Sequence, residues 1–348
     1  MSNLSNSYPE ADLLTLHEEQ IYLEEWMQSS RLLFYSVICI SLFTLPILLL
    51  SLCYISFKPT HNVHFLPYLY SILIANFVLL TTLFTSVITK NTDMVYDTIP
   101  GFLVCKLTAF LVNSSSCFIH WSWVAMFAER CFHIYFPLRY RINSTFRTKA
   151  VIVGILIFSM CIQLWIPIFI TEKRLSGQLD NIYCGEDTSY SSQTQLILSF
   201  ECTASFFLPL VLTIFADISI FTWKSSWGSI SFNLVPREEI RGKTSEHMKI
   251  VSLNSVRNSK KRRSNAIRRC LISATITLFL NLPNYICFLI EVVQLIDEFF
   301  NLRESTSIDV RRVFLRIDAF VYILYLMQFP ITPIHIFTLS RARTRRPS

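Results

Sequence analysis

Seven long apolar runs punctuate this chain, at about 32–57, 65–89, 102–128, 150–171, 195–223, 267–293 and 313–339. As a helix rising 1.5 Å per residue, each run is long enough to cross a hydrocarbon core about 30 Å thick. A helix on a soluble core would carry a polar face along most of its length. A membrane barrel would show alternating segments of about ten residues. The runs match neither pattern and predict an all-α membrane protein, a bundle of seven transmembrane helices. Around them lie an N-terminal segment (1–31), polar connections and a short tail (340–348). No repeat and no appended domain is visible.

Composition agrees with this reading and charge orients it. The chain is 52% hydrophobic and 16% charged, with 29 Phe and only six Gly. The first thirty residues hold Glu10, Asp12, Glu18, Glu19, Glu24 and Glu25 but no Lys or Arg. The connection after the third run carries Arg139, Arg141, Arg147 and Lys149, and residues 224–269 hold twelve Lys or Arg against three Glu. Basic connections stay on the cytosolic side. The expectation is therefore an outer N-terminus and an inner C-terminus, with the first run acting as a signal anchor. The net charge of +7 is split among separate cytosolic loops. It reads as topology and not as a nucleic-acid footprint.

Topology also sorts the ten cysteines. Cys39, Cys53, Cys117, Cys161, Cys202 and Cys287 fall inside runs as packing residues, and Cys131 and Cys270 fall at reducing cytosolic ends. Cys105 and Cys184 alone fall on the outer side, where a disulfide is the expected outcome. Asn3-Leu4-Ser5 is a glycosylation sequon on that side. No zinc spacing, phosphate-binding glycine loop or Cys-x-x-Cys pair is present, so the sequence predicts no enzyme, no metal and no cofactor.

Local motifs then point to a family. Glu129-Arg130-Cys131 closes the third run, followed by Pro137-Leu138-Arg139-Tyr140. Cys105 stands twenty-five residues before Arg130, and prolines interrupt the last three runs at Pro209, Pro283 and Pro333. In this order the motifs resemble those of rhodopsin-like G-protein-coupled receptors, over nearly the whole chain. The chain also resembles divergent invertebrate or nematode peptide and orphan receptors. The resemblance implies a Cys105–Cys184 disulfide, helix kinks at the three prolines, and an activation switch at Glu129-Arg130-Cys131. It also implies a plasma-membrane location and two partners, an extracellular ligand and a heterotrimeric G protein.

The chain departs from the family pattern at several of its usual positions. Asn76 stands where an aspartate binds sodium, Asn281 where helix six has tryptophan, and Thr332 and Ile336 where helix seven has asparagine and tyrosine. Val112 stands where amine receptors carry an aspartate, which argues against a monoamine ligand.

Several side chains are candidates for function, each beside a plainer reading. Arg130 is either a switch released from Glu129 or an interfacial anchor that snorkels. Asp217 either pairs with Arg130 or a helix-six base such as Arg263, or simply reaches the cytosolic interface. Glu201 lies inside the fifth run, where charged residues face a cavity or a partner. Glu291, Asp318 and Asp187 lie at the outer rim, and with Glu201 they form either an acidic vestibule for a cationic ligand or a hydrated, salt-bridged rim. Asn281, Tyr285 and Tyr322 are further candidates to line the pocket. Asn113, Ser114, Ser115 and Ser116 make the third run the most polar, as suits a central packed helix.

The expected function is that of a receptor for an extracellular ligand, a cationic neuropeptide in the first instance, that activates a G protein. One alternative is a chemosensory receptor for small environmental molecules. Another is a small transporter or channel, which would show inverted repeats or glycine-broken helices.

Overall fold

The computed structural model describes residues 9–57, 66–91, 101–135, 144–174, 182–186, 191–216, 218–219, 275–276, 279–287, 289–290 and 308–341. Helix α1 runs Pro9–Phe57, α2 Leu66–Asn91 and α3 Gly101–Tyr135. Helix α4 begins as Ser144–Ile162, tightens through a 3₁₀ turn at Gln163–Trp165 and ends in Ile166–Phe169. Helix α5 begins as Ser191–Cys202, passes a π-helical segment at Thr203–Phe207, and continues to residue 216. Residues 279–287, here α6, are helical around Pro283. Helix α7 is Ile308–Leu326 followed by Gln328–Arg341.

Five of these helices are long and apolar enough to cross a membrane: Leu23–Phe57, Leu66–Thr89, Arg147–Phe169, Leu196–Ala216 and Val313–Ile334. By length and composition this is a membrane protein. Helix α3 is not counted among these five, whose spans are taken from the described residues alone; the side chains of residues 101–103, where its apolar run begins, lie outside them. Asn113, the three serines after it and His120 lie within α3, which packs against α2, α4, α5 and both strands described below.

The elements overrun the apolar runs that predicted them. Helix α1 starts 23 residues before position 32 and measures about 74 Å, more than twice a bilayer core. Its Glu25 accepts a hydrogen bond from Arg316 of α7 at 2.7 Å. The Arg316 side chain is 68% exposed, so the pair adds at most about 1 kcal/mol. The sequence reading treated residues 172–194 as loop. Part of that stretch forms an antiparallel hairpin, β1 (Ile170–Arg174) with β2 (Ile182–Glu186), in which Glu172 pairs with Cys184.

The core lies where α1, α2, α3 and α7 meet. Leu69, Ile72, Leu73, Leu79 and Leu80 form one face of α2 at helical spacing, against Phe118, Ile119, Trp123, Met126 and Phe127 of α3 and Tyr325, Leu326 and Phe329 of α7. The outward faces are equally apolar: Phe43, Leu50, Ile157, Phe200, Val211 and Phe215 are all exposed. Surfaces of that extent suit contact with lipid tails. Cys39, Cys53 and Cys161 also lie on outward faces. Of the six cysteines expected in packing, only Cys117, Cys202 and Cys287 are buried.

Two proline-linked irregularities shape α5 and α7. In the π segment of α5, the Leu208 amide reaches back five residues to the Thr203 carbonyl. The next π bond would join residue 209 to the Ala204 carbonyl, but Pro209 has no N–H. The Trp121 indole Nε1–H of α3 supplies the missing donor to Ala204 O at 3.2 Å. In α7, Pro330 likewise offers no donor to the Leu326 carbonyl, and the helix is interrupted there at Met327. The Met327 amide is shared between the carbonyls of Ile323 and Leu324.

Removing the indole donor tests this account of α5. Trp121→Phe should lower stability by about 1–3 kcal/mol, the cost of an unsatisfied buried carbonyl. In a Pro209→Ala background the new N–H can serve Ala204 itself, and the same Trp121→Phe change should be clearly milder. Unfolding of the four proteins in detergent measures the difference.

Candidate functional site

A polar and aromatic seam runs through the middle of the bundle. Ser116 and His120 stand one turn apart on α3, and Asn281 and Tyr285 stand one turn apart on α6, so each pair shares a helix face. The faces meet at the Tyr285 hydroxyl, which is hydrogen-bonded to His120 Nε2 at 3.1 Å and to Ser116 Oγ at 3.3 Å. Phe206, in the π segment, stacks on the Tyr285 ring at 3.5 Å and 9° and meets His120 edge-on. The seam therefore ties α3, α5 and α6 through one phenol.

One turn away, Asn281 Nδ2 donates to Gln328 Oε1 of α7 at 2.9 Å. Asn281 is fully buried, and among the described residues its Oδ1 has no partner. Gln328 sits just after the break in α7, and its carbonyl accepts from Thr332 at 2.8 Å. Tyr325 lies beside Ser116 and Gln328 and joins the two halves of the seam. An amide pair in so dry a place is directional and leaves either partner exposed to a penalty if the other is lost.

The candidate residues fall into separate neighbourhoods. Tyr285 and Asn281 belong to the seam. Tyr322 packs against Tyr325 with ring centroids 5.7 Å apart, and partly buried Asp318 lies near Tyr322. Glu201 lies elsewhere, beside Gln163 and Trp165 of α4. Placing a carboxylate inside a membrane helix costs about 2.5–3.5 kcal/mol, and among the described residues no cation pairs with Glu201. Glu201 and Asp318 thus have different neighbours. Glu291 and Asp187 lie outside the described residues, as do Asp217, Arg263 and Asn3.

At the other end of α3, Thr148 Oγ1 of α4 donates to Glu129 Oε1 at 3.1 Å. The Arg130 side chain lies outside the described residues, and Cys131 is half-buried and not disulfide-bonded. Cys105 is disulfide-bonded at the end of α3 that packs on the hairpin. The Cys184 side chain lies outside the described residues, although its backbone is in β2. Asn76, at the position of the family's aspartate, is buried and donates to the Ile72 carbonyl of its own helix at 2.8 Å. Pro209 and Pro333 are buried within α5 and α7, and Pro283 lies within α6.

Sequence reasoning passed over His120, Trp121, Gln163, Phe206, Gln328 and Pro330. His120 and Gln328 carried a usable signal, since each is a polar residue inside an apolar run. Phe206 carried none, because 29 phenylalanines offer no way to single one out.

The amide pair gives a direct test. Asn281→Leu and Gln328→Leu should each destabilise by about 1–3 kcal/mol by widowing the other amide, whereas the double variant should fall well short of their sum. Detergent melting of the single and double variants reads this.

Compared with known proteins, the chain matches no family model and no curated protein.

Proposed function

We propose that this chain is a seven-helix receptor of the plasma membrane, of the rhodopsin-like kind that its motifs resemble. An extracellular ligand, a cationic peptide in the first instance, would bind between the outer halves of the helices. The cytosolic ends, with Arg130 and the basic 224–266 connection, would engage a heterotrimeric G protein. The chain itself would do no chemistry. Its ligand would shift the population toward a conformation that its partner recognises.

The observation that best supports this reading is the seam around Tyr285. A single buried phenol couples α3, α5 and α6, and the neighbouring Asn281–Gln328 pair extends the coupling to α7. A ligand that moved any of these groups would change the packing of all four helices. Neighbouring side chains with few alternative partners have few stable arrangements, which suits a switch. The Glu129–Thr148 bond adds a point where the motif-bearing end of α3 is held to α4.

Guanine-nucleotide exchange on a promiscuous G protein tests the reading, with a peptide library and a set of small volatile molecules as ligands. Peptides are expected to drive exchange, and Arg130→Ala should reduce it to background while the protein still reaches the surface. Full activity of Arg130→Ala in a responding system would contradict the switch. A response to volatile molecules alone would favour the chemosensory alternative.

A further inference from the structure

We propose that Glu201, Gln163 and Trp165 form a subsite for a single basic group, an ammonium or a guanidinium, at the seam between α4 and α5. The proposal rests on the receptor reading for its biology, but its test does not require signalling.

The 3₁₀ turn brings Gln163 to α5, where its Nε2 donates to Ser205 Oγ at 3.4 Å. Ser205 follows Glu201 by four residues, so the carboxylate stands about one turn from that anchor, on the same side of α5. Gln163 is 1% exposed, and among the described residues its Oε1 has no hydrogen-bond partner. Trp165 Nε1 is likewise buried, with no partner at full hydrogen-bond geometry among the described residues. Glu201 lies against both side chains.

Three polar groups thus converge with their hydrogen-bonding capacity unfilled or unpaired by charge. The balance of donors and acceptors then selects the guest. The Glu201 carboxylate and Gln163 Oε1 are acceptors, while the Trp165 indole N–H and the second N–H of the Gln163 amide are donors that can both serve the carboxylate. The carboxylate's negative charge, its further lone pairs and Gln163 Oε1 then call for a group that donates more than once and accepts nothing. Ammonium and guanidinium are such groups. A hydroxyl would satisfy fewer of these acceptors, and an anion would be repelled. Asp318, beside Tyr322, is not part of this subsite.

The probe is N-acetyl-arginine amide, with isosteric but neutral N-acetyl-citrulline amide as control, added to the full-length protein in nanodiscs without G protein. Thermal stabilisation and its dependence on probe concentration are the readouts. The arginine compound should stabilise the wild-type protein and the citrulline compound should not. Glu201→Gln should weaken the response about tenfold or more, the scale set by loss of a buried charge partner. Asp318→Asn should leave it unchanged. Should Glu201→Gln fail to fold, Gln163→Leu and Trp165→Phe carry the test, each expected to weaken binding by about threefold or more.

No stabilisation of the wild type, equal stabilisation by citrulline, an unchanged response in folded Glu201→Gln (or in both substitute variants), or a loss in Asp318→Asn would overturn the subsite. Arginine binding without nucleotide exchange would leave the subsite standing and count against the receptor reading. Exchange driven by an uncharged agonist, with no arginine binding, would do the reverse.

Discussion

A polar group inside a membrane has no water to turn to, and the middle of this protein is arranged around that constraint. Helix α3 carries Asn113, Ser114, Ser115, Ser116 and His120 in what would otherwise be an apolar rod. It occupies the centre, where neighbouring helices can answer those groups. Tyr285 answers Ser116 and His120, and Trp121 in turn answers the carbonyl that Pro209 leaves without a donor. Each satisfied group fixes the rotation of a helix about its own axis. Lipid-facing apolar surface cannot fix rotation, because lipid tails accept any apolar side chain equally well.

Irregular backbone is used in the same way. The π segment of α5 turns Phe206 onto Tyr285, the 3₁₀ turn of α4 carries Gln163 to Ser205, and the break in α7 precedes Gln328. Each irregularity contains or adjoins a side chain that bridges helices. On the proposed reading these are the places where a ligand could alter the packing, since regular apolar helix on either side has little reason to change.

The helices were legible in the sequence because hydrophobic length is a one-dimensional property. All seven apolar runs contain helix, and Pro209 marked the irregularity in α5, whereas the break in α7 lies at Met327 beside Pro330 and not at Pro333. The pairing of polar groups was not legible, because it depends on how each helix is rotated, and the runs are apolar almost all round. Asn281 was singled out as a departure from a family pattern, but nothing in the sequence connected it to Gln328. Glu201 was noticed for its charge and grouped with the rim acids. Its actual neighbours come from α4, whose 3₁₀ turn has no marker in the sequence. The hairpin at 170–186 begins in the last two residues of the fourth apolar run and otherwise falls in a stretch expected to be loop, since its strands are short and lack clear alternation. The extension of α1 to Pro9 was hidden by the acidic residues of its first turns.

The central claim is that the phenol of Tyr285 and the imidazole of His120 hold α3 and α6 together as a mutually satisfied pair. A double-mutant cycle with His120→Leu and Tyr285→Phe, followed by unfolding in lipid or detergent, measures this directly. The account expects a coupling energy of about 1 kcal/mol or more, with the double variant less destabilised than the sum of the singles. Additive losses, within about 0.5 kcal/mol, would contradict it.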